Sequence, residues 1–486
     1  MKHFKYKSLE DLSHDAGSIG ASQVQFDSDP AAVTRVLSQP VDVAGFRVGN
    51  SMAIHPMEGC DGRLDGAPDE LTWRRYERFG RGGAKLIWFE ATAVREDGRA
   101  NSRQLWLHSK TQSEFARLLD ATRRAHREEW TRDDDLLIPM QLTHSGRYSF
   151  PNRVIAYHNP NIDATTKTPS DQPVISDGEL ERLEDDYVAT AKLAHKVGFR
   201  AFDVKVTHGY LLAELMGARD ESLLAAQGTP QSRYRGSIEN RSRFASNVLR
   251  KLRAEFGSDV LLGMRLGCFD SVPYRKNPET SIGEPIPYTT PYRHGFGVDP
   301  TDPLQEDIAD VLRAIGFFRD AGLQFLNVSL ACPYYNPHIG RPFESPDDGN
   351  YEQPEHPLLG VDRHFRIAGA LQRSFPDLPM VGTGYSWLQA YAANAAAHNL
   401  ASGAIRFFGY GRGALAYPDF ARAILEHGTL EERRVCKTLT YCTYLMRQKN
   451  HPLGQFPTGC PPFDKEGYGH IMKEARTIQR ATPPKA

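Results

Sequence analysis

Cysteine is scarce, six in 486 residues. That is too few for a disulfide framework in so long a chain, and it points to a reducing, cytoplasmic setting. No apolar run reaches the roughly eighteen residues that a membrane-spanning helix needs. The opening residues lead into polar sequence without the apolar core of a signal peptide. Charge of one sign is also missing. The formal net charge is −1 and no strong basic block stands out, so neither nucleic acid nor a membrane surface is an expected partner. What remains is 40% hydrophobic, enough apolar matter for one large core and a small-molecule substrate.

Short apolar, β-branched runs alternate with longer segments of helical period, the pattern of parallel βα units. The runs are 51–57, 85–91, 136–142, 201–206, 260–266, 324–330, 378–383 and 404–408. Helices are expected at 70–79, 113–127, 177–196, 238–256, 303–321, 362–375, 387–398 and 418–427, with Ser237 capping the fourth and Gly257 stopping it. Eight units favour an α/β fold of the closed (β/α)8 TIM-barrel type over an open doubly wound sheet. The expected division is an N-terminal extension (1–38) capping the barrel bottom, the barrel itself (39–428), and a C-terminal tail (429–486) packed on the barrel or on a partner subunit. The Pro-, Tyr- and Gly-rich segment 268–303 is too long for a plain loop and is expected to form a lid over the site.

Barrel chemistry collects at the carboxyl ends of the strands. The seventh and eighth end in Gly382-Thr383-Gly384 and Gly409-Tyr410-Gly411-Arg412-Gly413. Paired glycine turns here form a phosphate cradle, because backbone N–H groups can approach the anion closely. Arg412 adds a charge-assisted contact. Arg265 lies inside an apolar strand and needs an anionic partner, either a strand carboxylate such as Glu90 or a cofactor that turns negative on reduction. Asp203, Lys205 and Thr207 share one strand face, and His208 and Tyr210 follow at the rim. A cation, an imidazole and a phenol there can stabilise an oxyanion and deliver a proton. The plainer alternative pairs Lys205 with Asp203 or Glu90 and leaves His208 as a loop hydrogen-bonder.

Together these strand ends resemble the Old Yellow Enzyme family, in its NADH:flavin oxidoreductase branch. The motifs are 208–212, 234–244, Gly82-Gly83-Ala84, 90–94 and 141–147, in order, and the resemblance runs from about Pro40 to Phe420. It implies an FMN-dependent oxidoreductase that takes hydride from NADH or NADPH and passes it to an activated alkene such as an enone. It implies that Pro56 and Met57 lie along the isoalloxazine, with Ala91 and Gln141 at its polar edge and Arg265 near N1 and O2. Gly384, Gly411 and Arg412 would hold the FMN phosphate. Lys205 and His208 would grip a substrate oxygen, and Tyr210 would protonate carbon.

The chain departs from that pattern in places. Lys205 stands where the family usually has histidine, and Glu58 where relatives often carry Thr or Cys. Arg235 breaks a usual Gly-Gly pair. Family members with an iron–sulfur cluster, like 2,4-dienoyl-CoA reductase, use four closely spaced cysteines. The tail offers only Cys436, Cys442 and Cys460, so no metal centre is expected and the thiols are expected to be free. Two other readings compete with the flavoenzyme, a Schiff-base lyase acting through Lys205 and a flavin-binding regulatory module. A homo-oligomer is compatible with the tail acting as an interface.

Overall fold

The computed structural model describes residues 3–219, 232–346 and 350–481. Eight parallel strands close into a ring: β1 (Met52–Ile54), β2 (Leu86–Ile87 and Phe89–Ala93, interrupted at Trp88), β3 (Met140–Thr143), β4 (Ala201–Val206), β5 (Leu261–Gly267), β6 (Phe325–Ser329), β7 (Met380–Gly382) and β8 (Phe407–Tyr410). Each pairs with its sequence neighbour, and β8 returns to β1 with Phe408 opposite Met52. The two halves of β2 face opposite neighbours, β1 and β3, with an irregular register on the β3 side. The expected barrel is therefore what forms.

Eight helices form the outer ring: α1 (Glu70–Arg81), α2 (Gln112–Trp130), α3 (Asp177–Lys196), α4 (Ile238–Phe256), α5 (Ala309–Asp320), α6 (Pro357–Ser374), α7 (Ala392–Ala401) and α8 (Phe420–His427). The bounds of α3 and α4 match the sequence reading because strong caps fix them. Ser176 and Ser237 each accept an N–H from the first turn, and Gly257 ends α4 at positive φ. α5 starts later than expected. Residues 302–307 are held in turns, with Gln305 N–H bonded to Asp302 and Asp307 N–H to Gly297. α6 starts earlier, capped by His356 with proline in its first turn.

One expectation about the flanks changes. The N-terminal segment does not cap the barrel bottom. It runs along the outer wall, with Pro30–Leu37 packed on α7 and α8 and the Gln23 N–H bonded to Asp362 of α6. The bottom is closed by a hairpin, Val41–Val43 with Phe46–Val48, whose Val43 and Val48 bury against Ala53, Leu86, Leu137, Ala201, Leu261 and Phe325. Those are residues at or just before strand starts, so the hairpin is the apolar plug.

The tail covers the opposite end. Tyr444, Leu445, Phe456, Tyr468, Ile471, Met472 and Ala475 form a small core of their own, to which Leu71 of α1 contributes. Asp464 accepts from Arg74 and Arg78 of α1, each at 2.5 Å. The Thr458 N–H reaches the Gly59 carbonyl at 2.6 Å. No helix among the described residues is long and apolar enough to cross a membrane.

Candidate active site

Register across the barrel places the chemistry in layers. Lys205 of β4, Arg265 of β5 and Asn327 of β6 are direct neighbours and form one layer inside the ring. Gln141 of β3, Asp203 and Gly263 form the layer beneath, two residues or about 6–7 Å closer to the bottom. The upper layer opens into a cavity with about 1180 Å³ of empty space, its mouth included. Nine of the eleven expected site residues line it: Pro56, Met57, Lys205, His208, Tyr210, Arg265, Gly384, Gly411 and Arg412.

Ala91 and Gln141 do not. Gln141 turns into the lower layer, where its amide donates to the buried Asp203 carboxyl at 2.5 Å. The Ala91 carbonyl accepts from Gln104 at 3.0 Å. Both side chains are buried in the wall of the barrel behind that cavity. Burial lifts the Asp203 carboxyl to about 6.

A tight turn positions the rim residues. His208 and Gly209 have φ of +66° and +69°, so the chain reverses at the end of β4 and enters the short helix Leu211–Gly217. Glycine is required at 209, where a Cβ would meet Cys332 and the Tyr148 ring. A histidine in the left-handed region costs of order 1–3 kcal/mol, strain of a kind that collects at functional sites. The turn folds Tyr210 back over its own strand, and the Lys205 ammonium lies 3.7 Å from the centre of the Tyr210 ring.

Glu58, noted in the sequence only as a departure, is central to the cluster. Lys205 Nζ donates to its Oε1 at 2.7 Å, and Tyr210 Oη donates to its two oxygens at 3.0 and 3.2 Å. Tyr334 Oη stands 3.3 Å from Tyr210 Oη. The loop that presents Glu58 is fixed from behind. The Gly59 N–H donates to Glu90 at 2.8 Å, and the buried Arg75 bridges Asp61 and Glu90 at 2.5 Å each. Glu90 is thus committed to Arg75, so neither the expected Arg265–Glu90 pair nor the Lys205–Glu90 pair forms. The sequence separations of 147 and 152 residues between Glu58 and its partners explain why no local pattern pointed to them.

Burial shapes the ionisation of this cluster. It pushes the Tyr210 phenol well above its ordinary value, with Glu58 adding to the effect, so the phenol keeps its proton. Burial, with Arg265 and Lys205 nearby, holds His208 well below the usual range and leaves it neutral. His208 Nε2 stands 3.3 Å from Ser329 Oγ. Burial also lowers Lys205, an effect that Glu58 opposes.

The cavity wall holds two arginine sites that matter for an anionic ligand. At one, Arg265 Nη1 donates to the Pro56 carbonyl at 3.2 Å, while its Nε is buried without a partner. Burial brings its guanidinium down to about 10. At the other, Arg412 Nη2 donates to the Pro342 carbonyl at 2.7 Å and its Nη1 is buried and unpartnered. Neither arginine forms an ion pair among the described residues. Gly384, at φ +98°, and Gly411 flank Arg412, and a Cβ on Gly411 would meet only His55 and Met57, at ordinary contact distance, beside the cavity. A dianion at the glycine end and a polar ring edge at the Arg265 end suit this donor set, and the span between is walled by His55, Pro56 and Met57.

The expected lid does not cover this cavity. No residue of 268–303 lines it. That segment carries a hairpin, Tyr274–Lys276 with Gly283–Pro285, packed sideways through Tyr274 on His338 and Tyr351. The roof comes from residues 330–342 after β6 and from the tail, through Cys442, Thr443, Met446 and Thr458. Arg341 donates to Thr443 Oγ1 and ties the two together.

The family model for the NADH:flavin oxidoreductase / NADH oxidase family matches residues 36–281, just over half of the chain. The chain belongs to that family. Among curated relatives, an NADPH dehydrogenase of Geobacillus sp. (strain WCH70) is 25% identical over 308 residues, covering 60% of this chain and 85% of the relative. A putative 12-oxophytodienoate reductase 3 of Oryza sativa subsp. japonica is 28% identical over 263 residues, half of this chain and 63% of that one. The old yellow enzyme homologue from Zymomonas mobilis superposes with a TM-score of 0.54 at 19% identity, over 80% of this chain and 92% of that one. This family member is an FMN-dependent oxidoreductase that uses a nicotinamide nucleotide, as the strand ends implied. The lyase and regulatory readings fall away.

All six cysteines of the chain are free thiols. Among the described residues, no group of three or more His, Cys, Asp or Glu side chains is arranged to hold a metal ion.

Proposed function

We propose that this chain is an NAD(P)H-dependent ene-reductase acting on alkenes conjugated to a carbonyl group. One observation carries the reading: Lys205, His208 and Tyr210 converge with Pro56, Met57 and Arg265 in a single cavity whose far end is the glycine turn at Gly384, Gly411 and Arg412. When bound, FMN supplies a two-electron carrier that takes hydride from the nicotinamide and gives it to the electron-poor alkene.

In this reading Gly384, Gly411 and Arg412 hold the phosphate, and Pro56 and Met57 support the ring. Arg265 places its positive charge where reduction leaves a negative one. Ala91 and Gln141 lie toward the polar edge of the ring, held by Gln104 and Asp203. Lys205 and the neutral imidazole of His208 donate to the substrate oxygen and stabilise the enolate that hydride addition creates. Tyr210, kept protonated by burial, gives its phenolic proton to the adjacent carbon. Six free thiols support a reducing, cytoplasmic location.

Purified protein should release FMN on denaturation. Its flavin absorbance should bleach with NADH or NADPH under anaerobic conditions and return on adding cyclohexenone. Protein that binds no FMN on reconstitution, or whose reduced flavin no enone reoxidises, would overturn the reading.

A further inference from the structure

Two hydrogen bonds meet on one carboxylate. Glu58 Oε1 accepts from Lys205 Nζ at 2.7 Å and from Tyr210 Oη at 3.0 Å. The lysine side chain is 4% exposed and the glutamate 13%, so the contact sits at the inner wall of the cavity rather than in bulk water. Ammonium, carboxylate and phenol therefore form a continuous chain of proton donors and acceptors. The phenol end of that chain is the group which, in the ene-reductase reading, loses a proton at every turnover.

We propose that Glu58 is the bridging carboxylate of a proton relay that restores the Tyr210 phenol from the Lys205 ammonium after each turnover. The inference rests on the ene-reductase reading and adds a residue and a step to it. Protonation of the substrate breaks the Tyr210 O–H bond, forms a C–H bond and leaves a phenolate. Glu58 then takes a proton from Lys205 Nζ and yields one to Tyr210 Oη. The step ends with a neutral lysine amine, an intact phenol and an unchanged carboxylate. No electrons move, and the amine regains a proton from solvent once product leaves the mouth.

The surroundings favour this direction. Burial lowers Lys205 and raises Tyr210, so passing a proton from ammonium to phenolate runs downhill. The charged and titratable groups that act on Glu58 and its two partners come from several elements. Arg265 of β5 and Lys449 of the tail add positive charge, Asp203 of β4 lies near Lys205, and Tyr334 and Cys60 are neutral neighbours. Lys449 Nζ donates to the Gln455 side-chain oxygen Oε1 at 2.5 Å. Among these, Lys205 alone shares hydrogen bonds with Tyr210 through one carboxylate.

The test uses the full FMN-loaded chain with Glu58→Gln, Glu58→Asp and Tyr210→Phe. Phenolate absorbance is titrated first, independently of turnover. Glu58→Gln should move one buried phenol to lower pH, and the moved signal should vanish in the double variant with Tyr210→Phe. A phenol that does not move overturns the proposal.

Reduced enzyme is then mixed anaerobically with cyclohexenone. Tyr210 already carries a proton, so Glu58→Gln should keep its first turnover within about threefold of wild type while continuous turnover falls about tenfold or more, and Glu58→Asp should recover part of the loss. If the first turnover falls as far as the continuous rate, Glu58 only positions Tyr210 and the relay is wrong. Unchanged continuous turnover also overturns it. Failure of the underlying reading looks different: wild-type reduced flavin would itself be inert to enones, and the relay would fall with it.

Discussion

The Lys205 ammonium stands 3.7 Å from the centre of the Tyr210 ring, five residues further along the chain. The strand places one and the left-handed turn at His208-Gly209 returns the other. In the proposed reaction, the cation for the substrate oxygen and the phenol for the carbon are thereby held as one unit. Replacing Lys205 with methionine should slow flavin reoxidation by an enone about 10²-fold, the scale of one lost oxyanion donor. Bleaching by the nicotinamide nucleotide should change little. Stopped-flow measurement of the two half-reactions separates these effects, and an equal loss in both would contradict the assignment.

Gly411 and Gly413 lie two residues apart and should respond oppositely to alanine. A Cβ at 413 would collide with the Tyr410 ring at 1.9 Å, whereas at 411 the nearest atoms are 3.6 Å away or more. Gly413→Ala should therefore lower the unfolding midpoint of the cofactor-free chain. Gly411→Ala should leave that midpoint nearly unchanged while weakening FMN binding at least about tenfold, some 1.4 kcal/mol. Thermal unfolding and FMN titration of both variants decide the matter.

Arg75 is a structural cation. It is buried between Asp61 and Glu90, each at 2.5 Å, and touches Tyr468 of the tail. Arg75→Ala leaves two buried carboxyl groups without their cation, and breaking such a pair costs about 3–5 kcal/mol. Denaturant unfolding should show a loss of that size. Because the same arginine braces the Glu58 loop, enone turnover should fall in whatever fraction remains folded.

Buried histidines set the response to acid. His126 has Nδ1 2.7 Å from the Gly80 carbonyl, joining α2 to α1, and burial, with Lys85 nearby, lowers it to about 4 from an ordinary 6.5. Between those values the unfolded chain binds a proton that the folded one refuses. Stability is complete above about 6.5 and falls as pH drops through the window, by up to about 1.4 kcal/mol per pH unit for one such group. His144, at about 4, and His364, at about 3, act in the same sense. Unfolding midpoints from pH 7 to 5 should fall, and His126→Gln should flatten that slope by about one proton.

The barrel was legible because its signals are local. Alternating apolar runs mark each strand, and Ser237 and Gly257 mark the ends of α4 within a residue. The strand-end residues were legible too, since a barrel brings eight carboxyl ends together whatever the loops do. What escaped the sequence depends on distant partners. Glu58 meets Lys205 and Tyr210 only once the ring has closed, and Gln141 meets Asp203 only through the way β3 and β4 align. The lid failed for the same reason. Composition showed that 268–303 is long, but not that Tyr274 would find His338 and Tyr351, leaving the mouth to the tail.

The roof has a further consequence, for the order of assembly. Cys442, Thr443, Met446 and Thr458 follow all eight strands in the chain, and synthesis proceeds from the N-terminus. The ring can therefore close on the ribosome with its mouth covered only by the 330–342 segment. Whatever fills the basin has a wider way in before the tail segment is in place than after it.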